Sequence, residues 1–359
     1  MSVNTNRQTT PQADMPFASV PYFESWLNAF GGPNSGVWRP DGAPVIAYVR
    51  APLRLGLIRV TAVHGATNDH TARYDILGDL VEPARMLHRM QKALCTSMFC
   101  FEYLARDSRL LSAVRANDSK LWYQLDFCED SPYVDCRLPW EEYWASRGTS
   151  RQLWARRERK LMHDLGATFR CLERWEQIEP VLPTVYDVEA SGWKGREGSA
   201  IRQSPNTLDF YNRCMRHWAE RGWLRLFLLE LAGEIIAFQI TVLHDGVLYQ
   251  IKVGYQERHA KLSPGQVLQV WLLREAFANP AIRAYDMLGG GGKAAANKRK
   301  WATGAETLYT LRVFRKSMGG LLAWLRFVVA PRLKTAILPR RVHKAVSPEG
   351  DQAANHGGS

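Results

Sequence analysis

The chain has 359 residues, enough for about two domains with cores of their own. Hydrophobic residues make up 46% and charged residues 23%, and no run approaches the roughly 18 apolar residues of a membrane helix, so collagenous, wholly disordered and membrane-spanning classes are excluded. The 47 basic and 35 acidic side chains give a net charge of +12, and residues 293–344 hold 13 of those basic residues with Glu306 as their single acid, so this segment carries the whole excess. Such an end calls either for an anionic partner (a phosphate-bearing cofactor, nucleic acid or an anionic membrane surface) or for nothing beyond solubility.

Residues 1–16 are polar and lack the basic, apolar, small-residue order of a secretory signal, which points to a disordered leader on a cytoplasmic protein. An amphipathic segment, 17–30, precedes two strand-like runs, 44–50 and 55–63. Helices are expected at 79–94 and 106–116 and a strand at 121–128, with 131–149 as connector around Pro132, Pro139 and Gly148. These elements make a first α/β half over 17–149.

The second half, 150–318, opens with a basic helix at 151–165 and a strand at 167–174. Ser204 as cap and Pro205 in the first turn start a helix whose stripe is Leu208, Tyr211, Met215 and Trp218. The period then changes to two. Residues 223–231, 235–244 and 247–255 read as three antiparallel strands, the last two joined at the tight-turn pair Asp245-Gly246. A turn through Ser263-Pro264-Gly265 leads into an apolar helix, 266–278, and strands at 283–288 and 307–316 flank a glycine run, 289–292. Residues 319–345 form a basic amphipathic segment, read as a terminal helix packed on the second domain or as an interfacial helix on an anionic leaflet. Residues 346–359, rich in Gly, Ser, Asn and Ala, are expected to be a disordered tail. The six cysteines make no C-x-x-C pair and no zinc spacing with histidine, so no metal is expected.

A strand feeding a glycine-containing turn and then a helix offers unpaired N–H groups to a diphosphate, although Ser-Pro-Gly is also a plain helix start. The glycine run lacks the Gly-Lys-Ser/Thr end of a P-loop. His70 beside Asp69 is either an acceptor-side base in a cleft between the halves or a structural loop histidine.

The element order of the second half resembles the acetyl-CoA-dependent GNAT fold. More narrowly, residues 150–320 resemble the acetyltransferase-like domain of the CelD/BcsL proteins of bacterial cellulose and exopolysaccharide synthesis, grouped with the FemAB-like tandem GNAT proteins. Carrying that likeness are Glu189 with Trp193-Lys194-Gly195, Tyr249 with Gly254-Tyr255, Ser263-Pro264-Gly265, Tyr285-Asp286 with Gly289, and Lys298-Arg299-Lys300-Trp301. In the first half it rests on Thr67-Asn68-Asp69-His70, Tyr74-Asp75, Ser131-Pro132-Tyr133 and Trp140-Glu141-Glu142-Tyr143. Asn297 stands where the family usually has Tyr, and the glycine loop is longer than the family's.

The resemblance implies an α/β mixed-sheet protein of two tandem GNAT-like acyl-CoA N-acyltransferase domains. Acetyl-CoA would then lie along Val253 and Gly254, with its pyrophosphate at Lys261, Ser263, Gly265 and Gln266. Asp286 or Glu189 would be the base; alternatively Asp286 is a cap or turn residue before Gly289 and Glu189 a helix-end carboxylate. Tyr255 would protonate the leaving thiolate or pack the strand end, and Lys298 would meet a phosphate or an anionic acceptor. Trp193, Lys194, Asn68 and His70 would contact the acceptor, an amine or hydroxyl on a small molecule or glycan. Two rivals stay open: aminoacyl transfer from charged tRNA, for which nucleic acid binding is the lesser expectation, and a non-catalytic scaffold of a polysaccharide synthase.

Overall fold

The computed structural model describes residues 14–39, 44–71, 73–80, 82–196, 198, 200–289 and 292–337, with the side chains of 118, 193, 194, 292–295 and 334–337 left aside. Strands are β1 (Ser35–Trp38), β2 (Ile46–Leu55), β3 (Ile58–Gly65), β4 (Met98–Leu104), β5 (Tyr123–Asp135), β6 (Thr168–Leu172), β7 (Leu224–Leu231), β8 (Glu234–His244), β9 (Val247–Tyr255), β10 (Ala284–Asp286) and β11 (Gly304–Phe314). Helices before the meander are α1 (Val20–Phe30), α2 (Pro83–Ala93), α3 (Arg109–Arg115), α4 (Trp140–Ala145), α5 (Thr149–Arg159), α6 (Trp175–Ile178), α7 (Leu182–Ala190), α8 (Trp193–Arg196) and α9 (Pro205–Glu220). After it come α10 (Pro264–Ala278), α11 (Gly292–Arg299), α12 (Met318–Trp324) and α13 (Ala330–Ile337).

All eleven strands join one mixed sheet in the order β1-β2-β3-β4-β11-β5-β10-β9-β8-β7-β6. The meander β7-β8-β9 forms because Ala232-Gly233 and Asp245-Gly246 all take positive φ, which matches the right-handed twist of the flanking strands. Helices cover both faces, as a half-apolar sheet requires. Over β7–β9, α1, α7 and α9 bury one core, in which Phe23, Val185, Met215 and Ile240 meet. On the opposite face α4, α5 and α10 bury a second, with Trp154 stacked on Trp301 at 3.7 Å. Toward the other edge α2 and α3 cover β2–β4, and α12 covers their reverse face.

Two crossings bind the halves together. β11, last in the chain, lies between β4 and β5 of the first half, while α1, near the start, packs on α9 of the second. The division at 149/150 therefore falls within one continuous sheet. The 131–149 connector is corrected in part: β5 runs on through Pro132 to Asp135, because its last three residues pair with β10. Likewise β2 continues through Pro52, where it has already left β1 and the missing N–H costs little.

The leader and tail expected at 1–16 and 346–359 lie largely outside the described residues. Asp14 to Pro16 are built into the fold: the Asp14 carboxylate meets Arg221, and Trp218 Nε1 donates to the Pro16 carbonyl at 3.1 Å. Three of the cysteines, Cys100, Cys136 and Cys214, are buried thiols, and Cys95 and Cys171 are exposed.

Candidate active site where two central strands part

β9 and β10 are parallel neighbours over three residue pairs only, ending at Asp286 opposite Tyr249. β9 runs on to Tyr255, and a bulge at Ile251 breaks its register with β8. At the mouth of this fork lies a cavity of about 360 Å³ lined by both halves. Lys252 of β9, Gly289 after β10 and Lys298 of α11 face Asp69 and His70 of the loop after β3 and Glu129 of β5. Tyr22, Phe210, Tyr211 and Trp218 form its aromatic wall.

Asn68 shapes the loop that presents His70. Its Oδ1 accepts the His70 N–H at 2.9 Å, the short-range turn this residue type favours. The His70 ring stacks on Phe30 and its Nδ1 lies 3.3 Å from the Tyr211 hydroxyl. Burial and then the Lys252 ammonium push the imidazole pKa down to about 4, against the opposing pull of Asp69 and Glu189. His70 is thus neutral across physiological pH. Burial raises the Tyr211 pKa well above its ordinary value, so its hydroxyl stays protonated beside the Lys252 ammonium over its ring.

Lys298 Nζ donates to the carbonyls of Leu288 at 3.1 Å and Gly289 at 2.6 Å, so it clasps the loop that leaves β10. A Cβ on Gly289 would fall 1.7 Å from Glu129 Oε1, so a larger residue there would push the Glu129 carboxylate aside.

Asp286 stands just behind the cavity lining, with both carboxylate oxygens engaged. Its Oδ1 accepts from Ser131 Oγ and from the Leu288 N–H, both at 2.7 Å, while Oδ2 pairs with Arg73. Arg73 also reaches Glu306 of β11 at 2.6 Å. Burial opposes the Arg73 charge, but the two carboxylates outweigh it and hold its pKa above the ordinary range. With its oxygens so engaged, Asp286 ties β10 to the first half. Glu189 is buried on α7, its Oε2 accepting the Ile201 N–H at 2.9 Å, and acts on the cavity through its field at His70.

Around the other prong of the fork lies the start of α10. Ser263 takes a left-handed φ of 54° and its side chain makes no cap bond, so the first turn of a fifteen-residue helix is left without a side-chain cap. Pro264 occupies the position whose N–H a helix never uses. Lys261 is exposed nearby, and Arg157 of α5 donates to Gln266 Oε1 at 2.5 Å. A Cβ on Gly265 would stand 3.4 Å from Tyr255 Cδ1, an ordinary contact, so the protein's own packing does not demand that glycine. Gly254 differs: a Cβ there would lie 2.5 Å from Phe238 Cε1 and 3.3 Å from the Glu189 Cα, and the close approach it permits is that of β8 and α7. Val253 and Tyr255 are exposed on β9 at 38% and 43%, an apolar edge leading from α10 toward the fork.

The structure therefore gathers His70 and Lys298 at the cavity, with Asn68 shaping its rim. It groups Val253, Tyr255, Lys261, Ser263, Gly265 and Gln266 around the helix start. Trp193 and Lys194 lie on α8, with their side chains outside the description. Sequence reasoning missed Lys252, Tyr211, Glu129 and Arg73. Lys252 carried a signal, as the one charged residue in β9.

Residues 149–298 match the acetyltransferase (GNAT) domain family. No curated protein matches the chain. Among solved structures the fold is similar to that of FemX, with a TM-score of 0.55 at 10% identity, covering 89% of this chain and 96% of that one. It is similar to a conserved protein of unknown function from Bacteroides thetaiotaomicron, at 0.54 and 11%, covering 85% and 94%. L-PGS from Bacillus licheniformis gives 0.51 and 14%, covering 87% and 97%. At these identities the likeness is one of fold, a mixed α/β architecture on one large sheet, and it extends over both halves.

Proposed function

We propose that this chain is an acyltransferase that moves an acetyl group from acetyl-CoA to an amine or hydroxyl held in the cavity at the β9/β10 fork. The observation that carries the reading is the meeting of two features at that fork. An uncapped helix start with an apolar strand edge lies on one side, and a cavity with a neutral histidine lies on the other. The match of residues 149–298 to the acetyltransferase domain family supports the same class.

The residues present fit the coenzyme. Lys261, Ser263, Gly265 and Gln266 would hold its diphosphate at the α10 start, and Val253 and Tyr255 would flank its arm. When bound, the coenzyme supplies an acyl thioester. His70 takes a proton from the acceptor: with Nδ1–H donated to the Tyr211 oxygen, Nε2 keeps its lone pair. Lys252 and Lys298 place positive charge at the cavity wall, where negative charge grows as the acceptor attacks. A glycan acceptor rests on the likeness to the CelD/BcsL proteins alone.

The test is calorimetric titration of acetyl-CoA into the full chain, with ATP and charged tRNA as controls and Gly265→Glu alongside. Saturable binding that the variant loses while keeping its thermal transition is expected. Binding of tRNA with none of acetyl-CoA assigns the donor to an aminoacyl ester, and binding of neither in folded protein favours the scaffold.

A further inference from the structure

Hairpin tips are ordinarily polar, because their backbone and side chains face water. The β2–β3 tip is not. Leu55-Gly56-Leu57-Ile58 turns there, with Leu57 fully exposed and Ile58 about half exposed. The tip sits beside the start of α12, since a Cβ on Gly319 would lie 3.2 Å from Val60 Cγ1 of β3. From that point one face of α12 and the π-helical turn that follows, Leu325–Val329, buries Ala323 and Val328 against β2–β4. The opposite face leaves Met318 72% exposed, with Leu321 and Leu325 at i+3 and i+7.

Charge around these side chains has one sign. Residues 44–68 and 307–337 contain no aspartate or glutamate. Arg54 and Arg59 on the hairpin and Lys316, Arg326 and Arg332 on the terminal segment are exposed beside the apolar side chains. On the covered face, Asp126 of β5 is engaged by Arg312. An apolar strip fringed by cations is the pattern of a surface that enters the acyl boundary of a bilayer while its arginines meet phosphates. No helix among the described residues is long and apolar enough to cross a membrane.

We propose that the β2–β3 tip and the outer face of α12 together form a docking surface for anionic phospholipid bilayers. The two readings of the basic C-terminal segment are then both realised, one face packed and the other in contact with lipid. Leu57 and Met318 insert, and the arginines set the preference for negative headgroups.

Co-sedimentation of the full chain with phosphatidylglycerol vesicles, against phosphatidylcholine vesicles, tests this. Binding to the anionic vesicles only, falling as salt rises, is expected. Arg54→Gln/Arg59→Gln lowers the partition coefficient about tenfold or more, and Leu57→Glu/Met318→Glu abolishes sedimentation. These positions are exposed, so each variant keeps the parent's thermal transition. Three results overturn the proposal: no binding of the parent to anionic vesicles, equal binding to both lipids, or binding unchanged in the Leu57→Glu/Met318→Glu variant. Self-association without vesicle binding, lost in that same variant, assigns the surface to a second copy and overturns it too.

Discussion

His70 shows how the surroundings set the protonation state of a residue whose local pattern is ambiguous. Burial against Phe30 and the Lys252 ammonium hold it neutral, with a pKa of about 4 where an ordinary histidine stands at 6.5. A depressed histidine binds protons in the unfolded chain before it does so in the folded one. Stability contributed by neutral His70 is therefore complete above about pH 6.5 and is lost as pH falls toward 4. His64, His217 and His244 are depressed by burial in the same direction, so the parent protein should weaken steadily through this window. In His70→Gln the loss between pH 7 and 5 should be smaller, by on the order of 1 kcal/mol once partial exposure is allowed for, as read by urea unfolding at the two pH values. The same variant should lower acyl transfer by about a hundredfold or more, the usual worth of a general base, with acetyl-CoA affinity unchanged. In the parent, the acid limb of the rate profile should lie below pH 5. A limb near 6.5 would assign the base elsewhere.

Among the elements, the joint of β10, β5 and β11 with the loop carrying Arg73 fixes the geometry of the fork. Arg73 is 12% exposed in its side chain and Asp286 5%, so the pair lies where an unmatched charge is poorly solvated. Arg73→Met leaves Asp286 with Ser131 and the Leu288 N–H but without a countercharge, and should cost about 3–5 kcal/mol in urea unfolding. Arg73→Met/Asp286→Asn removes both charges and should recover most of that loss. A double variant as unstable as the single one would mean that the guanidinium acts by packing. This joint also marks where sequence pattern stops being informative. The meander β7–β9, α9 and α10 are written in local signals: tight-turn glycines, a cap, a proline in the first turn and a clean change of period. β4, MFCFEYL, shows no clear alternation because its central residues are covered on both faces, and it was not anticipated. α7 was missed because Leu182-Pro183-Thr184 reads as a breaker, although Pro183 occupies a first-turn position. Asp286 was legible as a special carboxylate. Its partner Arg73, 213 residues away in sequence, was not.

At the scale of the whole molecule, sequence order and spatial order part company. The boundary at 149/150 follows a change in local pattern, and each half does have its own run of strands and helices. Sheet pairing ignores that boundary: β11 takes both its partners from the first half, and the apolar stripe of α9 is completed by α1 through Tyr22, Phe23 and Trp26. A fragment of residues 150–318 would leave β11 without either neighbour and β10 with β9 along three residue pairs alone. It would also strip three large aromatics from the core over β7–β9. Losses of about 3–5 kcal/mol for each such side chain sum to the full stability of an ordinary domain, about 5–15 kcal/mol. The fragment should therefore show no cooperative thermal transition and should bind a hydrophobic dye, while residues 14–337 melt cooperatively. A sharp melt and dispersed amide spectrum for 150–318 would show that the second half folds by itself and that the exchanged strand and helix are accessory. Failure of the fragment, with cooperative folding of 14–337, would explain why the cavity needs both halves: the loop bearing His70 and the strand bearing Lys252 are held to one another by elements that each half supplies to the other.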